Sequence, residues 1–326
     1  MDDKLNRWRY FSYTIILINF MPDIENSTIP FNRVEAILMR YGIQADGTAT
    51  PQWISTSRLQ KWTLLKAAFH KIIRRIFHKN TIDGQQEILK SYDAQWKKKA
   101  FSRYLPRISQ DGAPWVCGNL KWTISNEGGA AIRLIYLEEA LQHLKPASVL
   151  EVGAGNGINL LMLASRFPET QFFGVEPTTG GFQTAKSVID AGQLPEQLLQ
   201  FAPFPLNDLS APARIRITQE SSQKLSFDTA SVDVVVTSLA LEQMELIRHE
   251  ALTEIARVAK EWVVMLEPFR EVNSTGIRKA YVSTYGYFQG SIAELENYGL
   301  KVEKIYFDMP HKSILGTALV VARRIR

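Results

Sequence analysis

Two carboxylates and three glycines carry the clearest chemistry in the sequence. In "VLEVGAGNGINLL" (Val149–Leu161) an apolar run reaches Glu151, breaks into Gly153, Gly155 and Gly157, and turns apolar again. A strand that stops at a glycine turn and opens a helix lets a ligand approach the backbone closely. The free N–H groups of the helix start then face that ligand. The spacing is G-x-G-x-G rather than the G-x-G-x-x-G of dinucleotide binders, and Asn159 stands where a pyrophosphate would need a small residue. Glu151 would repel a pyrophosphate and attract a cation. Glu176 closes a second apolar run, "QFFGVE", 25 residues after Glu151, where an acid can accept both hydroxyls of a ribose. The set suits an adenosine that carries a positive group and no phosphate. S-adenosylmethionine (SAM), with its ammonium, sulfonium and ribose, fits; a nicotinamide dinucleotide is the alternative.

Residues so placed need an α/β frame, and residues 128–326 supply alternating strand and helix signals. "ASVLEV" (Ala147–Val152), "QFFGVE" (Gln171–Glu176), "ARIRIT" (Ala213–Thr218), "SVDVVVTSLA" (Ser231–Ala240) and "EWVVMLE" (Glu261–Glu267) read as five successive strands. Helices are expected at 158–167, at 179–192 and through "HEALTEIARVA" (His249–Ala259). "LKVEKIYFD" and "TALVVARR" read as an antiparallel pair that closes the sheet. The stripe Ile132, Ile135, Leu137, Leu141, Leu144 predicts an entering helix over 128–145. The stretch before it, Ser109–Gly129, reads as a loop-like linker containing Trp115 and Trp122.

The order "VLEVGAGNG", "FFGVE", "KLSFDTASVDVVVTSLALEQM", "EALTEIARVAKEWVVMLEP" resembles the four-motif series of class I SAM-dependent methyltransferases, over residues 128–326. The resemblance implies an α/β, Rossmann-like seven-stranded sheet with helices on both faces. It also implies SAM as cofactor. Glu151 would help hold the methionine end, over a loop formed by Gly153, Ala154, Gly155, Asn156 and Gly157. Glu176 would bind the ribose, and Ser238 and Leu239, at the end of the fourth strand, would lie beside the ligand. Many relatives place an aspartate near the adenine; alignment on "LSF" puts Ser221 there, with Glu220 adjacent. Two further departures are "LEQM", where many relatives show a histidine pair, and "AGQLPEQLLQFAPFPLNDLSAP" (Ala191–Pro212), which reads as an insertion.

The sulfonium is itself a good methyl donor. The protein must hold a nucleophile in line with the methyl, roughly 3 Å away, in a dry site. A hydroxyl acceptor also needs a base. Glu242, after the fourth strand, and Glu267, at the end of the fifth, are the catalytic candidates; each could instead be a capping or surface carboxylate. His249 falls on a helix expected to face solvent. Tyr281, Tyr285 and Tyr287 could line an acceptor pocket or sit in the core, and Trp115 and Trp122 could close over the ligand or pack on the domain. No metal site is expected, because neither the five histidines nor the single Cys117 fall into a ligand spacing. "TSLALE" stands where base-amine methyltransferases carry an Asn-Pro-Pro-Tyr stretch, and no RNA-binding module is visible. The expected activity is O-methylation of a small molecule or glycan. The alternatives are an RNA or protein methyltransferase working through the basic N-terminal part, and a SAM-binding scaffold without turnover.

At 326 residues and 45% hydrophobic the chain can bury a large core. Its charge is divided: residues 1–145 hold 21 Lys and Arg against 13 Asp and Glu, whereas residues 146–326 hold 17 against 20. The expected parts are a mainly helical basic region over 1–107, a linker over 108–127 and the methyltransferase domain over 128–326. In "RLQKWTLLKAAFHKIIRRIFHK" (Arg58–Lys79) Trp62, Leu65, Phe69, Ile72, Ile73 and Ile76 make one helical face, with Lys61, Lys66, Lys71, Arg74, Arg75 and Lys79 over much of the rest. That helix can pack on a neighbour, lie on an anionic membrane or glycan carrier, or contact nucleic acid, the last being the less favoured. "YFSYTIILINF" (Tyr10–Phe20) is too short to span a bilayer and reads as a buried strand. A cytoplasmic location follows, with a peripheral position at the inner membrane face as the alternative.

Overall fold

The computed structural model describes residues 24–44, 51–77, 84–98, 101, 112–286 and 288–325. The expected strand at Tyr10–Phe20 and Tyr287 lie outside the described residues, as do the side chains of Phe69 and of 71–77.

The main sheet is built on strands that are apolar on both faces, as a sheet covered by helices on each side requires. β5 (Ser148–Val152) lies at its centre, and Val149, Leu150 and Val152 are buried. From β5 the chain runs outward through α5 (Ile158–Arg166), β6 (Gln171–Val175), α6 (Thr179–Ala191) and α7 (Glu196–Phe201) to β7 (Arg216–Thr218). It then crosses back to β8 (Val232–Ser238), on the other side of β5, and continues through α8 (Arg248–Val258) to β9 (Ala259–Glu267). These five strands are parallel. β10 (Leu300–Tyr306) and β12 (Ala318–Arg324) form the expected antiparallel closure, with β12 inserted between β9 and β10. The direction of travel reverses between β5 and β8. A crevice opens there at the carboxyl ends of the strands.

The sheet has eight strands rather than seven. β1 (Glu25–Ser27) adds in parallel to the edge of β10. Half of "ARIRIT" is not strand: a 3-10 turn occupies Ala211–Arg214 and the third strand is only β7. The expected insertion holds α7, whose Leu198 and Phe201 are buried.

The segment expected as a loop-like linker is instead a hairpin, β3 (Ala113–Cys117) and β4 (Leu120–Ile124). It forms the middle of a second, antiparallel sheet between β11 (His311–Lys312) and β2 (Gly42–Gln44). Trp115 pairs with Trp122 and both are buried, so they pack the hairpin rather than closing over a ligand. Sequence reading missed this because a short hairpin with a Gly118 turn carries no long periodic signal.

The entering helix, α4 (Asn126–Leu144), starts where the Ser125 hydroxyl accepts from the Gly128 N–H at 3.1 Å. It is buried nearly all round, because α1 (Phe31–Tyr41) covers the side away from the sheet. Arg33 ties α1 down through Glu138 and Glu139, both at 2.5 Å, and Arg166 meets the same buried Glu138 at 2.8 Å.

α2 (Pro51–Phe77) and α3 (Gly84–Lys98) complete the described N-terminal part. α2 buries Ser57 and Leu64, not the expected stripe: Trp62 and Leu65 are each 63% exposed. The reading in which that stripe packs on a neighbour is therefore corrected at these two residues.

Candidate active site

The glycine loop sits where β5 ends. Gly153, Gly155 and Gly157 all have positive φ, 79°, 56° and 77°, so each position favours glycine. A Cβ on Gly153 would meet Ala240 at 2.6 Å, and one on Gly155 would meet the Trp96 ring at 2.7 Å. The loop thus runs between the turn after β8 and helix α3 with no space for a side chain. Asn156 is buried, with Oδ1 accepting from the Ile158 N–H at 3.4 Å, and Gly157 begins α5.

Glu176 lies just past β6. Its Oε2 accepts from the Gly155 N–H at 2.8 Å and its Oε1 from the Thr178 N–H at 2.9 Å. It ties the loop to the start of α6 and lines the cleft with Pro177 and Thr178. Burial raises its carboxyl, against these hydrogen bonds, which lower it. Glu151 is buried in β5: Oε1 accepts from Asn159 Nδ2 at 2.7 Å, while Oε2 has no hydrogen-bond partner among the described residues. Burial pushes its pKa up to about 8. An orphaned buried carboxylate oxygen beside a glycine loop is what an ammonium would satisfy. Asn159, which counted against a dinucleotide, is the residue that orients this acid.

The other edge of the cleft holds Ser221, Ser222 and Gln223 from the loop after β7, with Ala240, Gln243, Met244 and Ile247 after β8. Glu220 is not among them. It folds back on its own loop, accepting from the Ser226 N–H at 2.8 Å and from the Thr218 hydroxyl, so Ser221, the residue that alignment on "LSF" sets near the adenine, lines the cleft and its neighbour Glu220 does not. Ser238 and Leu239 do not line the cleft either. Leu239 takes a left-handed conformation, φ 52°, and turns the chain so that Ala240 and Gln243 face it. Ala154 and Gly157 shape the loop from behind it.

Glu242 and Glu267 come together beyond this edge. Glu267 Oε1 accepts from the Ala240 and Leu241 N–H groups at 3.0 and 3.2 Å, fastening the turn that carries Glu242. Glu242 Oε2 is buried and has no hydrogen-bond partner among the described residues. Burial raises Glu242 to about 7, with Lys312 and Arg133 pulling the other way. Burial, and then the nearby Glu242, raise Glu267 to about 8. His249 is exposed at the start of α8. Of the tyrosines, Tyr281 and Tyr285 stack with centroids 4.9 Å apart on α9 (Gly276–Tyr285), Tyr285 being 45% exposed.

Several functional residues were not legible in the sequence. α3 brings Trp96 and Leu89 over the cleft, and Asp93 Oδ1 accepts from the Gly180 N–H at 2.5 Å. Tyr92, one turn before Trp96, lies within electrostatic reach of Glu242 and Tyr281. No local motif marks these four side chains; their helical spacing is the signal the sequence holds. Among the described residues no cluster of His, Cys, Asp or Glu could hold a metal ion.

Residues 150–264 match the sequence model of the family described as "Methyltransferase domain". This part of the chain is a class I SAM-dependent methyltransferase domain, and SAM is its cofactor. Solved structures similar to the chain include magnesium protoporphyrin IX methyltransferase from Synechocystis PCC 6803 with bound S-adenosylhomocysteine. It is 12% identical over 60% of this chain and 84% of its own, with TM-score 0.44. Geranyl diphosphate C-methyltransferase from Streptomyces coelicolor A3(2) is 12% identical over 73% and 98%, with TM-score 0.46. No curated protein matches the sequence.

Proposed function

We propose that the domain transfers the methyl group of SAM to a hydroxyl oxygen of a small molecule or glycan, with Glu242 as the base. When bound, SAM supplies an electrophilic methyl on sulfur. Glu151, the Gly153–Gly157 loop and Glu176 hold the amino-acid and ribose ends, and Trp96 and Leu89 shield them from water. Glu242 supports this reading most: its buried Oε2 lacks a hydrogen-bond partner among the described residues and burial raises its pKa to about 7, the range in which a carboxylate both accepts a proton and stays ionised. The acceptor oxygen bonds to the methyl carbon, the carbon–sulfur bond breaks with its electron pair staying on sulfur, and the hydroxyl proton passes to Glu242. Glu267 is a positioning residue for that turn.

The test is incubation of the full-length protein with labelled SAM and fractionated cell extract. A labelled product that resists ribonuclease and protease supports the reading; one degraded by either enzyme shifts it to RNA or protein. Binding of SAM with no labelled product in any fraction would leave a scaffold.

A peripheral position on an anionic membrane is a second element of the proposal. Leu59, Trp62 and Leu65 are 65%, 63% and 63% exposed on α2, among exposed Arg58, Lys61 and Lys66. No helix among the described residues is long and apolar enough to cross a membrane. Co-sedimentation with anionic vesicles that weakens at high salt supports it; none at low salt removes it.

A further inference from the structure

The mouth of the cofactor cleft is crossed by α3. Leu89, Asp93 and Trp96 recur at four and three, so they share one face of that helix. At its start α3 meets the turn after β8: a Cβ on Gly84 would lie 2.9 Å from Leu246 Cδ1. Farther along it packs on α6, which follows β6 on the other side of β5. The helix therefore bridges the two walls of the crevice. The Trp96 ring fills the gap beneath it. Its Cζ2 edge would lie 2.7 Å from a Cβ on Gly155, and Trp96 and Leu89 line the cleft together with Gly153, Glu176 and Ser221.

A hydrogen bond fastens the helix in this place. The first N–H groups of α6 have no carbonyl within their own helix. The Thr178 hydroxyl takes the Gly181 N–H at 3.3 Å, and Asp93 Oδ1 takes the Gly180 N–H at 2.5 Å. The grip is light. None of the described side chains of α3 is fully buried, and elements with little buried surface open at the lowest free-energy cost. When Asp93 lets go, the Gly180 N–H passes to water, as at any exposed helix start. With α3 seated, the cleft encloses about 60 Å³. That is room for a few waters, whereas a site for a drug-sized ligand measures about 300–1,000 Å³. SAM, a nucleoside joined to an amino acid, is of that size and does not fit past a seated Trp96.

We propose that α3 is a gate on cofactor exchange, latched by Asp93 on α6 and plugged by Trp96 against Gly155, so that SAM enters and S-adenosylhomocysteine leaves only when both contacts release. Asp93 is a positioning residue: it acts through the placing of Trp96. The latch re-forms over bound cofactor, where Trp96 and Leu89 keep water out, and so it slows entry and departure alike. The inference needs only the cofactor and holds whatever group accepts the methyl.

The experiment uses the full-length protein, rapid mixing with SAM or S-adenosylhomocysteine read by tryptophan fluorescence, and calorimetry for equilibrium affinity. Wild type, Asp93→Ala, Asp93→Asn and Trp96→Phe are compared. Asp93→Ala should speed association and dissociation of both ligands by about tenfold, as for one charge-assisted hydrogen bond at a half-exposed site, and change Kd by less than about threefold. Asp93→Asn keeps an acceptor oxygen at the latch and should recover part of the wild-type rates. Trp96→Phe should remove most of the fluorescence change while calorimetry still detects binding, because that ring is the one displaced. Deuterium exchange of the wild-type protein needs no variant: amides of α3 should exchange faster than those of β5, and more slowly once SAM is held under the gate. Unchanged rates in Asp93→Ala overturn the inference. So does a weakened Kd with association no faster than in wild type, the outcome of a merely structural role. A fluorescence change that persists in Trp96→Phe, or α3 amides as protected as those of β5, overturns it as well.

Discussion

The carboxylates and glycines of the cofactor cleft come from one stretch, Glu151–Glu176, whereas the rest of its lining is gathered from α3, the loop after β7 and the turn after β8, the turn that carries the proposed base. Tyr92, Arg133, Glu242 and Lys312 lie far apart in sequence and come within electrostatic reach of one another only in the folded chain. The contrast has a physical basis. SAM offers every methyltransferase the same ammonium, ribose and adenine, so a single strand–loop–helix unit can hold it. An acceptor is recognised by shape and charge peculiar to one enzyme, and elements outside the parallel core are free to vary around it.

Glu242→Gln tests the boundary between the two sides most severely. Removing the base while keeping its shape should lower single-turnover methyl transfer by about 10²- to 10⁴-fold, with SAM affinity hardly changed. A normal rate in this variant would mean that transfer relies on positioning alone.

Glu176→Ala strikes the other side. Its carboxylate holds the Gly155 and Thr178 N–H groups as well as the proposed ribose contact. Calorimetry should show SAM affinity weakened by about 1.5–3 kcal/mol. An unchanged affinity would remove Glu176 from the cofactor site.

Protonation separates the sides further. Glu151, raised to about 8, must give up its proton to meet an ammonium, so SAM affinity should fall by up to about tenfold per unit as pH drops below 8. Glu151, Glu242 and Glu267 also keep protons that the unfolded chain loses above about 4.5. Folding therefore takes up protons between that value and their raised pKa values, and the ligand-free protein should lose stability as pH rises from 5 to 8. Thermal melts with and without SAM read this directly: the cofactor should narrow the difference, because its cation favours ionised Glu151. A flat ligand-free profile would show that these carboxyls ionise freely.

The smallest expected effect lies farthest from the cleft. Lys66→Ala should weaken partitioning onto anionic vesicles by about 1 kcal/mol and leave SAM affinity alone. Partitioning that ignores the change would take α2 out of the proposed membrane contact.

How much could be read from the sequence follows the same division. The five parallel strands and the helices between them are long apolar runs broken by Gly or Pro, and the structure contains them within a few residues, except at the third strand. The glycine loop and its acids were legible because their spacing is local. Glu242 and Glu267 were legible as strand-end acids, but not their different situations: Glu267 Oε1 is fastened to two backbone N–H groups, whereas each acid keeps a buried Oε2 with no hydrogen-bond partner among the described residues. Glu220, expected beside the cofactor together with Ser221, turns away from the cleft, because alignment on "LSF" does not reveal which way a side chain of the loop points.

By itself the sequence determined the parallel core, the site of its switch point and the chemistry of the ligand held there. Strand apolarity and glycine spacing act over a few neighbouring residues and need no distant partner. The tertiary structure decided that residues read as a linker become a hairpin, that Trp96 rather than Trp115 or Trp122 lies against the glycine loop, and that Glu267 fastens the turn that carries Glu242. A charge has no preferred partner until packing brings two groups out of water together, and that encounter is set by the whole fold rather than by any spacing along the chain.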